Sequence, residues 1–194
     1  MHATVSNPTG PVTPVGLLCI TGGSGTGKTS LVQALQQIAG IESITTITTR
    51  PRRPGEGKDA YHFTDAATFL QQFRAGAITA VDHYDGNWYG IPKQALQAMH
   101  RSASIVLSPE GARWVRHWTH THHRKFTWIH ATADDTHLTR RLQQRDGDDS
   151  PRLQTQYVDP AKQVSNADRY INTSGRCPSV LALQILQTCN QTNQ

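Results

Sequence analysis

The stretch Gly22-Gly23-Ser24-Gly25-Thr26-Gly27-Lys28-Thr29 satisfies the pattern GxxxxGK[ST], a spacing with a physical purpose. Glycines let the backbone wrap until its N–H groups converge on phosphate oxygens, and the start of the following helix adds the positive end of a dipole. A lysine at position 28 then reaches the terminal phosphates, and a hydroxyl at Thr29 suits a magnesium ion bridging them. Gly22 to Ser30 is therefore read as a cradle for a nucleoside triphosphate, with ATP and Mg2+ as the implied ligands.

Two arginine clusters supply the complementary chemistry. Arg50, Arg52, Arg53 and Lys58 crowd one loop, and Arg140, Arg141, Arg145 and Arg152 crowd another. Phosphoryl transfer between two anions needs positive groups on the acceptor phosphate and on the migrating group, and guanidinium forks bind phosphate oxygens bidentately. Arg50 and Arg53 suit the acceptor. An isolated arginine is more often a solvated surface charge, and Tyr61 or Tyr89 also suits an ordinary apolar core.

These groups must be held by elements whose pattern is visible in the chain. Val15 to Thr21 (VGLLCIT) is an apolar run ending at glycines, and Leu31, Val32, Leu35 and Ile38 carry helical spacing stopped by Gly40. Strand, glycine loop and helix are thus expected in succession. Ile44 to Thr49 (ITTITT) is β-branched and reads as one strand, followed by a Pro/Gly loop. Thr64 is expected to cap a helix through DAATFLQQF, Ala77 to Tyr84 to form a strand turning at DGN, and Pro92 to open a helix through Met99. Ser104–Ser108 and Phe126–Thr132 are further buried strands, Asp134 and Asp135 start a helix through Leu142, and RDGDDSPR breaks it. A polar helix from about Leu153, a strand at RYIN and a closing helix over Val180–Leu186 complete the pattern. Apolar strands alternating with helices indicate an α/β fold with a parallel sheet covered on both faces.

Composition is consistent with that picture. The 194 residues carry a formal charge of +5, with 36% hydrophobic and 17% charged residues, as in a globular domain. No apolar run approaches the ~20 residues of a membrane helix. Residues 1–14 are polar with prolines, lack a basic and apolar leader pattern, and read as a loose tail, so a cytoplasmic location is expected. Cys19, Cys177 and Cys189 are far apart and suggest neither a disulfide framework nor a zinc site. The histidines at 117, 120, 122, 123 and 130 lack a helical HExxH or a cysteine partner, and an exposed segment is the expectation. Basicity alone, with a pI near 9.4, favours anionic partners. Two separate clusters and no reading module favour small phosphorylated molecules over nucleic acid.

GGSGTGKTSL, then TTRPRRPGE, then KDAYHF, then GNWYG at Gly86–Gly90 resembles the guanylate kinase family, with order and spacing held from about Leu17 to Asn172. The resemblance implies a P-loop NTPase fold with a parallel sheet core, a small lobe for the nucleoside monophosphate at about residues 45–94 and a lid at about 141–152, within one domain spanning 15–194. It implies ATP-dependent phosphorylation of a nucleoside monophosphate, GMP or dGMP foremost, by a monomer or homodimer that binds neither nucleic acid nor membrane. Positions matching Arg50, Arg53, Tyr61 and Tyr89 hold the acceptor phosphate in that family, and Thr46 matches a base-contacting hydroxyl residue. Arg141, Arg145 and Arg152 match lid arginines, and Asn172 matches an asparagine near the nucleotides. A guanylate-kinase-like scaffold that only binds proteins is the alternative in a different class. Such domains typically lose the phosphate loop, which is intact in this chain.

Three departures bear on the acceptor. The family reads guanine with a carboxylate nine residues before the tyrosine of GN-x-YG and another in the next apolar strand. This chain has Ala80 and Ser108 there, and Ile91 replaces a hydroxyl residue after Tyr89-Gly90. Leaving the guanine N1–H and 2-amino group unpaired in a closed pocket costs about 1–3 kcal/mol each. Asp82 and Glu110, each two residues downstream, are the acids that a bulge would have to turn inward. The same departures resemble the ribose 1,5-bisphosphate phosphokinase branch, which makes a non-guanine acceptor the alternative.

Overall fold

A computed structural model of the chain describes residues 16–146 and 164–191. The tail at 1–14, the helix expected from Leu153, the side chain of Arg145 and all of Arg152 lie outside the described residues.

Strand β1 (Leu17–Thr21) runs into the glycine loop, and helix α1 (Lys28–Ala39) follows. β2 (Glu42–Ile44), β7 (Ala103–Val106), β8 (Phe126–Thr132) and β9 (Arg169–Asn172) join β1 in a five-stranded sheet of order β2-β7-β1-β8-β9. All of its pairings are parallel. Along β1 the side chains alternate between two cores. Leu18 and Ile20 meet α1 and the last helix, α6 (Pro178–Gln191), while Leu17 and Cys19 meet Ile105, Trp128 and helix α4 (Pro109–Thr121). Each fully buried leucine or isoleucine contributes on the order of 1.5–3 kcal/mol, and burial on both faces explains the unbroken apolar run in β1.

A second sheet, of order β4-β3-β6-β5, is built from β3 (Ile47–Thr48), β4 (His62–Phe63), β5 (Ile78–Tyr84) and β6 (Asn87–Pro92). Its small core is Ile47, Phe69 and Ile78, the phenylalanine coming from helix α2 (Ala66–Arg74). ITTITT is therefore two strands in two sheets. It breaks at Thr45–Thr46, where the chain leaves the parallel sheet for the smaller one. Asp65, not Thr64, caps α2, its carboxylate accepting the Thr68 amide at 2.8 Å. Pro92 sits just before helix α3 (Lys93–Gln97). β7 ends before Ser108 because that hydroxyl caps α4, accepting the Gly111 amide at 3.0 Å.

Helix α5 (Asp135–Asp146) starts at the expected acids. Within the histidine tract, His117, His120, His122 and His123 are exposed, but His130 is buried on β8, against expectation, because it alternates with the sheet rather than the surface helix. No group of three or more potential metal-binding side chains occurs among the described residues, and no described helix is long and apolar enough to cross a membrane.

Candidate active site

The glycine loop joins β1 to α1 at the carboxyl end of the parallel sheet, where open α/β sheets place their ligands. Gly22 has φ 149° and lies against β8: a Cβ there would sit 2.3 Å from the Ala131 carbonyl oxygen. Gly27, at φ 81°, turns the chain into α1 as its left-handed N-cap residue. Lys28 Nζ donates to the Gly22 and Gly23 carbonyls at 2.7 Å each, so the ammonium is held over its own loop.

The loop is braced from three sides. Thr26 Oγ1 donates back to the Gly23 carbonyl at 2.9 Å. Beneath it, the buried Trp128 Nε1 donates to Thr21 Oγ1 at 2.8 Å, and that hydroxyl lies 2.8 Å from His130 Nδ1. With the indole filling one lone pair, the Thr21 hydroxyl hydrogen is free to serve the imidazole. Beside it, Thr173 Oγ1 lies 2.9 Å from the Thr26 carbonyl and 3.1 Å from that of Thr132. Arg141 completes the brace, donating through Nη1 to the Gly25 carbonyl at 3.1 Å and to Thr173 Oγ1 at 3.0 Å, and through Nη2 to the Thr173 carbonyl. Arg141 thus lies against the phosphate loop itself. Thr173, Thr21, Trp128 and His130 were not identified as site residues from sequence. Only their places on strands and turns beside the loop reveal them, Thr21 ending β1, Trp128 and His130 inside β8 and Thr173 just after β9, and no local pattern marks such positions.

The second cluster is set by the turn after β3. Thr48 Oγ1 donates to the Trp88 carbonyl and accepts the Arg50 amide at 3.1 Å, which ties the loop's start to β6. Glu56 closes the loop. Its Oε1 and Oε2 accept Arg50 Nη2 at 2.7 and 3.0 Å, and Oε2 also accepts the Arg53 amide at 3.1 Å. The Arg50 side chain is 6% exposed, and its guanidinium also donates to the Pro51 carbonyl and lies 5.1 Å from the centre of the Tyr61 ring. Tyr61 and Tyr89 meet edge to face at 6.1 Å. Glu56 is a further residue the sequence reading did not single out, although its place in RPGE, six residues from Arg50, was a usable signal.

Charge follows from this packing. Burial pushes the Glu56 carboxyl up, but the Arg50 hydrogen bond, the Arg53 amide and the nearby guanidinium charges outweigh it and hold the carboxyl below its ordinary range. Burial pushes the Tyr61 phenol up, assisted by Tyr89 and opposed by Arg50. The phenol therefore stays protonated and able to donate a hydrogen bond.

Both clusters line one cleft. Its wall includes Gly22, Ser24, Gly25, Gly27, Lys28, Thr29 and Ser30 from the glycine loop, with Arg141 bonded to that loop, and Thr46, Arg50, Arg53, Tyr61 and Tyr89 from the second cluster. Gly23 and Thr26 are not on that wall; they are tied to each other within the loop. Asn172 stands apart from the wall: its amide donates to Asp134 Oδ1 at 3.1 Å and accepts the Ser174 amide, fixing the turn after β9. Ala80 and Ser108 also line the cleft, whereas Ile91 is fully buried in the core with Leu17 and Trp128.

The guanylate kinase family model matches residues 15–174. The chain belongs to the guanylate kinase family. It is 30% identical over 168 residues to the guanylate kinase of Synechococcus sp., spanning 84% of this chain and 76% of that one. It is 32% identical over 154 residues to the guanylate kinase of Frankia casuarinae, spanning 77% and 82%. A crystal structure of guanylate kinase from Anaplasma phagocytophilum, 20% identical, covers 92% of this chain and 86% of that one at a TM-score of 0.64, a likeness of fold. As a guanylate kinase family member, the protein is a nucleoside monophosphate kinase, and the P-loop fold with its parallel core is the one the family uses.

Proposed function

We propose that this protein transfers the γ-phosphoryl group of ATP to the phosphate of GMP or dGMP. The observation that carries this reading is that the glycine cradle and the Arg50–Arg53–Tyr61–Tyr89 cluster line the same cleft. The cradle has the backbone such a loop needs, since Gly25 and Gly27 take left-handed angles and Gly22 packs against the Ala131 carbonyl where a Cβ would clash. Gly22 to Ser30 would hold the triphosphate, and Lys28, moved off its own carbonyls, would neutralise the terminal phosphates. Thr29 would hold a magnesium ion, which when bound supplies charge neutralisation at the phosphate oxygens.

Across the cleft, Arg53 and Tyr61 donate to the acceptor phosphate, Tyr89 stands beside them, and Glu56 keeps the Arg50 fork oriented. An oxygen of that phosphate attacks the γ-phosphorus while the bond to the β–γ bridging oxygen breaks, so no general base is required. Positioning and charge neutralisation account for the rate. The segment 45–94 acts as the acceptor lobe and 141–152 as the lid, with Arg145 and Arg152 on the migrating group and Arg141 holding the loop. Asn172 shapes the turn bordering the nucleotide site.

A second reading has one observation in its favour: neither Ala80 nor Ser108 offers the carboxylate a guanine needs, which fits a non-guanine acceptor such as ribose 1,5-bisphosphate. A coupled ATP-consumption assay against GMP, dGMP, AMP and ribose 1,5-bisphosphate, with Lys28→Ala as the control, separates the two. GMP-dependent turnover that Lys28→Ala abolishes is expected; turnover with ribose 1,5-bisphosphate alone would replace the first reading with the second.

A further inference from the structure

The acceptor pocket lacks both expected carboxylates, yet its wall is not without an acid. β5 pairs with β6 antiparallel, Thr79 opposite Ile91 and Asp82 opposite Tyr89, so Ala80 and Val81 together face Gly90. That is a β-bulge, and Ala80 takes the positive φ of 50° that accommodates it. The extra residue shifts the side-chain alternation by one. Ile78 and Val81 both turn to the small core beneath α2, and Ala80, Asp82 and Tyr84 all line the cleft. Without the bulge, Val81 and Asp82 would exchange faces relative to Ile91 and Gly90.

The other acids are accounted for: Glu56 and Asp59 also line the cleft, but Glu56 is bound to Arg50 and the Arg53 amide, and Asp59 is exposed on the loop between Arg53 and Tyr61. Glu110 is exposed, pairs with Arg113 and is absent from the cleft wall. Ser108 is on the wall, but its hydroxyl oxygen accepts the Gly111 amide as the α4 cap. Asp82 is half-buried directly across from Tyr89; its Oδ1 accepts the His83 amide at 2.8 Å, and Oδ2 makes no hydrogen bond among the described residues.

We infer that Asp82 is the specificity-determining residue of the acceptor site, accepting the N1–H and 2-amino hydrogens of a guanine base in place of the carboxylates missing at Ala80 and Ser108. The inference rests on the nucleoside monophosphate kinase reading above. One carboxylate suffices for this edge, because the two guanine donors lie side by side and match its two oxygens. An adenine presents a lone pair at N1 and is repelled by the same group. Removing the charge leaves donors poorly paired and lowers discrimination by ~10- to 100-fold.

Steady-state kinetics of wild type, Asp82→Asn, Asp82→Ser and Glu110→Gln with GMP, IMP and AMP test this. Both Asp82 variants are expected to lose ~10- to 100-fold in kcat/KM for GMP, less for IMP, which lacks the 2-amino group, with the KM for ATP unchanged. The GMP-to-AMP ratio should fall accordingly, and Glu110→Gln should match wild type. An unchanged GMP-to-AMP ratio in both Asp82 variants overturns the inference while leaving the kinase reading intact. A wild-type enzyme inactive on every nucleoside monophosphate overturns that reading and this inference with it.

Discussion

Glu56→Gln is the perturbation with the most readable consequences. The carboxylate is 18% exposed and its partner Arg50 6%, so the charge pair is largely out of water. Breaking a buried pair by removing one partner costs about 3–5 kcal/mol. The partial exposure of Glu56, the Pro51 carbonyl and the Tyr61 ring all soften that loss, leaving an expected cost of about 2 kcal/mol. For a chain of this size each kcal/mol lowers Tm by about 2–4 °C, so a drop of about 4–8 °C is expected at neutral pH. The sign of the pH dependence is set by the depressed carboxyl. A group held below its unfolded value, about 4.3 for glutamate, contributes stability that is full above that value and is lost as pH falls through the folded one. The gap between wild type and variant should therefore be constant from pH 8 to about 5 and shrink in more acid solution. Thermal unfolding across that range is the assay, paired with the acceptor KM, which should rise as Arg50 loses its orientation. Equal melting temperatures at pH 7, or a gap that widens toward acid, would refute the reasoning.

Gly90→Ala would put a Cβ 2.3 Å from Ile78 Cγ2 and 3.3 Å from Phe69 Cζ, so a loss of about 1–3 kcal/mol and a raised acceptor KM are expected in melting and kinetic measurements. Thr173→Val removes the hydroxyl shared by Arg141 and the Thr26 carbonyl; kcat should fall with little change in acceptor KM, as steady-state kinetics will report. Tyr61→Phe should raise the acceptor KM, and because burial pushes that phenol up, the wild-type pH profile should show no loss of acceptor binding from Tyr61 ionisation below about pH 10.

Much of this site could be read from residue order, because its chemistry is local. A glycine loop between a strand and a helix carries its own geometry, and GGSGTGKT lies where that pattern requires. The strand at Phe126–Thr132 matched its apolar run because it lies inside a sheet covered on two faces, whereas Arg169–Asn172 is an edge strand that buries only Ile171 and was legible from its short β-prone stretch alone. ITTITT did not, since β propensity runs continuously through a segment that tertiary pairing divides between two sheets. The bulge at Ala80 was hidden for a related reason. It depends on Gly90 across the hairpin, and only the register of β5 on β6 decides which acid faces the cleft. Trp128 and His130 on β8 and Thr173 just after β9 support the phosphate loop from more than a hundred positions away, and Glu56 does its work through a hydrogen-bonded loop rather than a motif position of its own.

The reaction is a phosphoryl transfer, and following the migrating group tests it most directly. With ATP labelled in its γ-phosphate, magnesium and GMP, chromatography of the products should show the label in GDP, in step with ADP formation. Label found only in inorganic phosphate, or retained in ATP whatever the acceptor, would contradict it.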